Sequence, residues 1–282
     1  MSTQYIYQKS IDSTNNEIKR RLASGGCLEE YTVISAGTQT AGRGRIGHEW
    51  SSPADVSVAT SMVLYPKVLS KKSDEVFPRK PEEDAKSGSR SGTISEECVP
   101  QLTIVAAMAV AYAVEELYGL AAQIKWVNDI LLSGKKICGI LTERVDDAVV
   151  VGIGVNVYPG SFPPELAERA TCIADELEKQ NGIKKNDTAV SRKHLTEKIW
   201  QHFLALYEQF LQNRSLAFLL DEYNARLVNA GRMVRVMDPA GAYEAKALSM
   251  DENGRLVVET EAGVINRIDS GEVHVRGQNG YV

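Results

Sequence analysis

The residues best suited to chemistry lie in Gly42-Arg43-Gly44-Arg45-Ile46-Gly47-His48-Glu49-Trp50, where arginines alternate with glycines. Glycine lets a backbone turn tightly and approach a ligand, and arginine offers a planar fork of donors to phosphate or carboxylate oxygens. The spacing also satisfies the dinucleotide fingerprint, which needs a helix inside the glycines and an acidic residue about 20 positions later. Ser51-Ser52-Pro53 and a basic region near Lys67 stand there instead. A nicotinamide site is therefore excluded, and an anion-binding loop and a plain surface turn fit equally well.

A second polar segment, Lys125-Trp126-Val127-Asn128-Asp129, joins two predicted strands. Asn and Asp tolerate tight turns, which makes a β-turn the simplest interpretation. A carboxylate beside an amide, flanked by lysines, could instead bind Mg²⁺ together with a phosphate. Lys136 follows a predicted hairpin turn, and Gly139 lies three residues further along an apolar strand. Strict alternation places these two on opposite faces of the strand, and a bare glycine there marks a bulge or close ligand approach.

A third segment, Val151-Gly152-Ile153-Gly154-Val155-Asn156-Val157, alternates glycine with aliphatic residues. In a strand this pattern leaves bare backbone on one face and packing side chains on the other. The glycines either accommodate a neighbouring helix or form the floor of a ligand pocket. A loop with apolar groups, Phe162-Pro163-Pro164-Glu165-Leu166, follows. Taken one at a time, such segments are more often structural than functional.

The elements that must position these segments are read from hydrophobic periodicity. Strands are predicted at 5–7, 32–36, 56–64, 124–126, 130–132, 136–143 and 149–156, and helices at 17–22, 102–117, 188–212 and 216–226. Beyond residue 229 only short strands are predicted, at 233–236, 243–248, 256–259 and 264–267. Residues 67–99 mix both charges with Ser, Gly and Pro and are predicted to form a mobile charged insertion.

Composition limits the function classes. The 282 residues are 43% hydrophobic and 24% charged, with a net charge of −5, which argues against a nucleic-acid surface. No apolar run approaches the roughly 18 residues that span a bilayer, and residues 1–5 lack the order of a signal peptide. The four cysteines, Cys27, Cys98, Cys138 and Cys172, are widely spaced. A cytoplasmic protein with reduced thiols is expected, without membrane or nucleic-acid partners.

In combination the segments resemble biotin protein ligases (biotin–[acetyl-CoA-carboxylase] ligases). The resemblance follows the order Asp12-Ser13-Thr14-Asn15, Gln39 to Trp50, Lys125 to Asp129, Lys136 to Leu141, and Gly152 to Asn156. It covers nearly the whole chain outside the charged insertion, and Gly271 to Gly277 looks like the SH3-like module of the family. The resemblance implies an α+β fold, with a mixed-sheet biotin/lipoate ligase-type catalytic domain at 1–229 and a small all-β SH3-like barrel at 230–282. It looks like the ligase-only form, without an N-terminal DNA-binding domain.

The activity that the resemblance implies has two steps. ATP, with Mg²⁺, activates biotin as biotinyl-5′-AMP, and the biotinyl group then passes to a lysine of a biotin carboxyl carrier protein, with no prosthetic group. Biotin-binding positions are matched to Ser13, Thr14, Asn15, Gln39, Gly42, Arg43, Gly44, Arg45, Lys136 and Gly139. ATP- or adenylate-binding positions are matched to Arg45, Trp50, Lys125, Asn128, Asp129 and Asn156.

Catalytic roles are matched to Arg43, Arg45, Lys125, Asp129 and Lys136. Both steps need charge neutralised, because a biotin carboxylate must approach an anionic phosphate. Arg43, Arg45 and Lys136 are expected to screen that repulsion. Asp129 is expected near Mg²⁺ and is the candidate to orient or deprotonate the carrier lysine.

One departure from the family pattern is Val127, which stands where the family commonly has proline. Family members often dimerise by pairing sheets edge to edge, so a homodimer is left open. Three other functions are also left open: a lipoate or octanoate ligase or transferase of the same fold, a non-catalytic biotin-binding protein, and an RNA-binding module.

Overall fold

We describe the protein from a computed structural model that covers residues 3–25, 28–69, 93–95, 99–182, 190–238, 241–269 and 274–277. Its first part contains the strands β1 (Tyr5–Ile11), β2 (Val33–Gln39), β3 (Ser57–Leu64), β4 (Lys67–Leu69), β5 (Thr93–Ser95), β6 (Gln123–Lys125), β7 (Asp129–Leu132), β8 (Lys135–Val145) and β9 (Ala148–Asn156). Its helices are α1 (Thr14–Ala23), α2 (Gln101–Tyr118), α3 (Ile173–Asn181), α4 (Arg192–Asn213) and α5 (Leu220–Arg226).

Seven strands form one mixed sheet in the order β1-β2-β3-β9-β8-β7-β6. β1 and β2 are parallel, because α1 connects them as a crossover, and the other neighbours are antiparallel. β9 lies at the centre, where Gly154 pairs with Gly139 of β8 and Gly152 pairs with Leu141. Directly paired residues share a face of the sheet. Gly139 and Gly154 therefore form a bare patch on one face.

Helices cover both faces of this sheet. Residues alternating along the strands separate into two clusters: Met62 and Val151 pack with α2 and α4, while Val63 and Val150 pack with Ile18 of α1. Because successive strand residues point to opposite faces, α1 lies on one face and α2 on the other. The expectation that no apolar run approaches 18 residues is wrong, because by length and composition alone α2 could cross a membrane. In this fold α2 is a core helix that packs against α4 and β8.

The last strands form a separate antiparallel sheet in the order β13-β12-β11-β10-β14. They are β10 (Met233–Asp238), β11 (Gly241–Met250), β12 (Leu256–Thr260), β13 (Ile265–Ile268) and β14 (His274–Gly277). The predicted combination of a mixed sheet with helices and a small all-β module is confirmed.

Some elements differ from their prediction. α3 was not predicted, because its sequence IADELEKQN contains few apolar residues. β14 was also not predicted, and α4 begins at Arg192, where the Ser191 hydroxyl accepts the His194 backbone N–H. Most of the predicted insertion at 67–99 lies outside the described residues, and at its two ends β4 and β5 pair in parallel.

The turn between β11 and β12 ties the small sheet to the larger one. Trp126 Nε1 donates to the Gly254 carbonyl at 3.0 Å, and Gln101 Nε2 donates to the Asn253 carbonyl at 2.9 Å. Gly254 has φ +83°, and a Cβ there would lie 2.5 Å from Ile104 Cδ1. Only glycine fits both the backbone conformation and the close packing. The small sheet therefore supports the segment that contains Trp126.

Replacing Trp126 by Phe is expected to lower the free energy of unfolding by about 1 kcal/mol, because the buried Gly254 carbonyl loses its donor. Urea denaturation would measure the change. Trp50→Phe is the matched control, because the Trp50 indole N–H has no hydrogen-bond partner among the described residues. Equal losses of stability at the two positions would contradict the assigned hydrogen bond.

Candidate active site

The glycine-arginine segment folds back on itself as a compact loop. Trp50 N donates to the Gly42 carbonyl at 2.9 Å, and Gly44 N donates to the His48 carbonyl at 2.7 Å. Between them, Arg45–Gly47 form one short 3₁₀ turn. A Cβ on Gly42 would lie 2.3 Å from the Trp50 carbonyl oxygen, so the close approach of the two ends requires glycine. The loop brings Trp50 back over the sheet.

The bare patch on the sheet is the floor of a pocket, and the Trp50 indole lies against it. A Cβ on Gly154 would come within 2.4 Å of Trp50 Cε2, and one on Gly139 would lie 3.0 Å from Cζ3. The indole Nε1 is buried and has no hydrogen-bond partner in the described part of the chain. Other side chains that line the pocket come from the start of α1, the end of β2 and the loop: Ser13, Thr14, Asn15, Gln39 and Arg43.

One end of the pocket is polar and mostly uncharged. Gln39 Oε1 accepts from Thr14 N at 2.8 Å and from Thr14 Oγ1 at 3.1 Å. Ser61 Oγ lies 2.6 Å from both Thr14 Oγ1 and Asn15 Oδ1. Asn15 Oδ1 lies so close to the strand that a Cβ on Gly152 would be 2.1 Å away. Closely spaced amide and hydroxyl groups of this kind suit a small ligand group that both donates and accepts hydrogen bonds.

Charged side chains lie beside the other end of the pocket, next to Gly139. Lys136 Nζ lies 2.5 Å from Asp129 Oδ1 and 5.5 Å from the centroid of the Trp50 ring. Arg45 Nη1 lies 3.5 Å from Asn128 Oδ1. Burial lowers the pKa of the Arg45 guanidinium, and the charge of Asp129 acts in the opposite direction; an arginine nevertheless stays protonated in a protein. The two polar segments, far apart in sequence, thus meet above one pocket.

The prediction that Lys136 and Gly139 point to opposite faces is wrong. A Cβ on Gly139 would lie 3.3 Å from Lys136 Nζ, so both are on the pocket side. The reason is a β-bulge: Ile130 pairs with Cys138 while the next residue, Leu131, pairs with Lys136. The extra residue Ile137 shifts the alternation by one position.

Two predicted nucleotide-side residues are deeply buried. Lys125 is 8% exposed and pairs in register with Asp129 across β6 and β7. Asn156 is 3% exposed, and its Nδ2 donates to the Thr171 carbonyl at 3.1 Å. The same stretch returns to the site, since Lys136 N donates to the Arg169 carbonyl at 2.8 Å. Asn156 therefore holds the chain beyond residue 160 next to Lys136.

Val127, which departs from the family pattern, is 2% exposed, and the peptide bond that precedes it is cis.

Sequence reasoning missed two residues of the polar end. Ser61 lies in a largely apolar strand, SVATSMVL, and no neighbouring sequence motif indicated a role for it. Glu143 hydrogen-bonds Asn15, and the signal that could have found it is an acidic residue within a largely apolar strand.

Comparison with known proteins agrees with this geometry. The model of the biotin/lipoate A/B protein ligase family matches residues 87–157, and that of the biotin protein ligase C-terminal domain matches residues 230–276. The chain is 31% identical over 284 residues to the bifunctional ligase/repressor BirA of Bacillus subtilis (strain 168), covering 98% of this chain and 75% of that protein. It is 28% identical to the biotin–[acetyl-CoA-carboxylase] ligase of Mycobacterium tuberculosis, covering 94% and 86% of the two chains.

A solved structure is also similar. The biotin protein ligase from Aquifex aeolicus in complex with biotin and ATP superposes with a TM-score of 0.75 at 26% identity, covering 98% of this chain and 100% of that one. The chain therefore belongs to the biotin protein ligase family and is a biotin–protein ligase.

Proposed function

We propose that the protein joins biotin to ATP as biotinyl-5′-AMP and then transfers the biotinyl group to a lysine of a biotin carboxyl carrier protein. The observation that carries the proposal is a pocket whose one end is lined by Thr14, Asn15 and Gln39. Lys136, paired with Asp129, lies beside Gly139 on the floor of the pocket and provides a cationic end. The uncharged end suits the ureido ring of biotin. The cationic end suits the carboxylate and the phosphates.

At the uncharged end, Thr14, Asn15 and Gln39 supply the hydrogen bonds in this proposal, supported by Ser13 and Ser61. Gln39 already hydrogen-bonds Thr14, and Ser61 already hydrogen-bonds Thr14 and Asn15. These groups are therefore held in place before the ligand ring binds. Preorganised groups of this kind lose little entropy on binding. Gly139 and Gly154 leave the space in which the Trp50 indole lies, and the apolar part of the ligand would take that space when the indole moves aside.

At the cationic end, a carboxylate oxygen of biotin attacks the α-phosphorus of ATP. The new O–P bond forms as the bond to the pyrophosphate leaving group breaks. Lys136, Arg43 and Arg45 offset the repulsion between the two anions and stabilise the charge that develops on phosphate. Trp50 excludes water from the acyl-adenylate, which hydrolyses readily. Gly42 and Gly44 let the loop backbone come close to the ligand.

Mg²⁺ fits the cationic end only when it binds together with the phosphates of the nucleotide. The described residues contain no group of three His, Cys, Asp or Glu side chains placed to hold a metal. Asp129 offers one carboxylate and Asn128 one amide, and Mg²⁺ in nucleotide sites is held largely by phosphates and one or two carboxylates. When bound, the ion would neutralise phosphate charge.

In the second step, the amine of the carrier lysine attacks the acyl carbon, an amide bond forms, and AMP leaves. We assign Asp129 to orient or deprotonate that amine, and Lys125 and Asn156 to keep the nucleotide side in place. We further propose that the catalytic domain ends near residue 229 and the SH3-like domain follows. A cytoplasmic location and a homodimer are part of the same proposal.

Biotin-dependent exchange of labelled pyrophosphate into ATP, run beside lipoate and octanoate, tests the proposal. Exchange with biotin alone is expected. Exchange with lipoate or octanoate instead would reassign the acyl pocket. Biotin binding without exchange would show that the protein sequesters biotin and is not an enzyme. Salt-dependent RNA affinity would favour the RNA-binding alternative.

A further inference from the structure

Glu143 is an acidic residue beside the hydrogen-bonding end of the candidate pocket, where Thr14, Asn15 and Gln39 lie. Along β8, Gly139, Leu141 and Glu143 point to the same face of the sheet, because side chains alternate beyond the bulge. The Glu143 side chain is 18% exposed. Its position places a carboxylate beside the start of α1, where Asn15 lies.

The two carboxylate oxygens of Glu143 serve different partners. Oε2 accepts from Asn15 Nδ2 at 2.8 Å. Oε1 lies 2.6 Å from Lys19 Nζ and 3.6 Å from Arg43 Nη1. Arg43 Nη1 also donates to Asn16 Oδ1 at 3.2 Å. One carboxylate thereby connects α1, β8 and the glycine-arginine loop.

The contact with Asn15 fixes the orientation of its amide. Asn15 Nδ2 donates to Glu143 and to the Leu141 carbonyl, at 3.3 Å for the second. The amide oxygen is therefore turned towards Ser61 and the pocket floor at Gly152. A flipped amide would place its donors against Ser61 and leave Glu143 without one of its hydrogen bonds.

Glu143 is charged at neutral pH. Burial by itself would raise the pKa of its carboxyl, but hydrogen bonds from Lys19 and Asn15 and the charge of Arg43 hold that pKa below its ordinary value. The contact with Arg43 is therefore an ionic one.

We propose that Glu143 is a positioning residue for biotin: it orients the Asn15 amide through Oε2 and holds Arg43 of the loop through Oε1. The proposal rests on the proposed function. It predicts that a change at Glu143 raises the KM for biotin more than the KM for ATP, since Lys136, Arg45 and Asn128 lie away from Glu143. Arg43, which Glu143 contacts, carries any smaller effect on the reaction with ATP.

Glu143→Gln is the test, because an amide has the same shape but cannot accept hydrogen bonds on both sides. The KM for biotin is expected to rise about tenfold, the scale of one lost hydrogen bond to a charged group, with the KM for ATP little changed. Calorimetry with biotin alone should show a similar, about tenfold rise in the dissociation constant, independently of turnover. Glu143→Asp should recover part of it.

Two control variants separate positioning from general stability. Lys19→Met removes the ion pair but leaves Asn15 and Arg43 in contact with Glu143, so biotin affinity should change less than with Glu143→Gln. Glu116→Gln removes a carboxylate that pairs with Lys198 on the far side of α2, and it should leave biotin affinity unchanged. Thermal unfolding of each variant reports on stability.

An unchanged biotin dissociation constant in Glu143→Gln would overturn the positioning role and leave the proposed function intact. Equal rises in the KM for biotin and the KM for ATP would show that Glu143 has only a structural role. The same conclusion would follow if Lys19→Met weakened biotin binding as much as Glu143→Gln does. If the unaltered protein neither binds biotin nor exchanges pyrophosphate with it, the proposed function fails, and this proposal fails with it.

Discussion

Replacing Lys136 by Ala is expected to lower the rate of adenylate formation by about a thousandfold, a loss near 4 kcal/mol of transition-state stabilisation. Its ammonium lies at the cationic end of the pocket, beside Asp129 and over the Trp50 ring. Without it, the biotin carboxylate must approach the α-phosphate with less of the repulsion offset. The variant also removes the Lys136 ammonium from beside the Asp129 carboxylate, which makes the local charge more negative where the phosphates bind.

Pyrophosphate exchange at saturating biotin and ATP measures this effect, and biotin calorimetry separates it from binding. Lys135→Ala is a matched control: the neighbouring lysine donates to the Ala167 carbonyl at the surface and does not contact Asp129 among the described residues. Its exchange rate should remain within about twofold of the unaltered protein, as is usual for surface substitutions. Near-normal exchange by Lys136→Ala would remove this lysine from the reaction.

Replacing Gly154 by Val is expected to weaken biotin binding by about a hundredfold, because the valine methyl groups would stand where the ligand is proposed to lie. The same change is expected to lower the free energy of unfolding by about 1–3 kcal/mol through overpacking, which leaves the sheet folded. A Cβ at this position would lie 2.4 Å from Trp50 Cε2. The indole must therefore move, and the valine methyl groups occupy the space between the two ends of the pocket. The β-branched side chain itself suits a strand.

Biotin calorimetry and thermal unfolding test this second prediction together. Ile199→Val is the control, because the Ile199 side chain of α4 is buried in the core and does not line the pocket. That variant should lose about 1 kcal/mol of stability and keep its affinity for biotin. Unchanged biotin affinity in a folded Gly154→Val variant would show that biotin does not lie on this glycine patch.

Part of the structure follows from local pattern alone. The strands that carry the site are predicted because alternation and β-branched residues are local properties of the chain. The apolar sequence of α2 likewise predicts a buried helix, and glycines at 152 and 154 predict a bare strand face. The residue types of the loop at 42–50 are compatible with an anion site, but on their own they fit a plain surface turn equally well.

Tertiary structure decided the strand register and the contacts between distant segments, which hydrophobic periodicity cannot predict. The bulge opposite β7 turned Lys136 to the side of Gly139, against the strict alternation expected from sequence spacing. Glu143 and Ser61 became part of the polar end only because β3, β8 and the start of α1 meet there. Register shifts and contacts between distant segments depend on packing, which is non-local. The sequence by itself therefore determined the residue types available for chemistry, and the tertiary structure decided which of them, Ser61 and Glu143 included, lie in the candidate site and face one another.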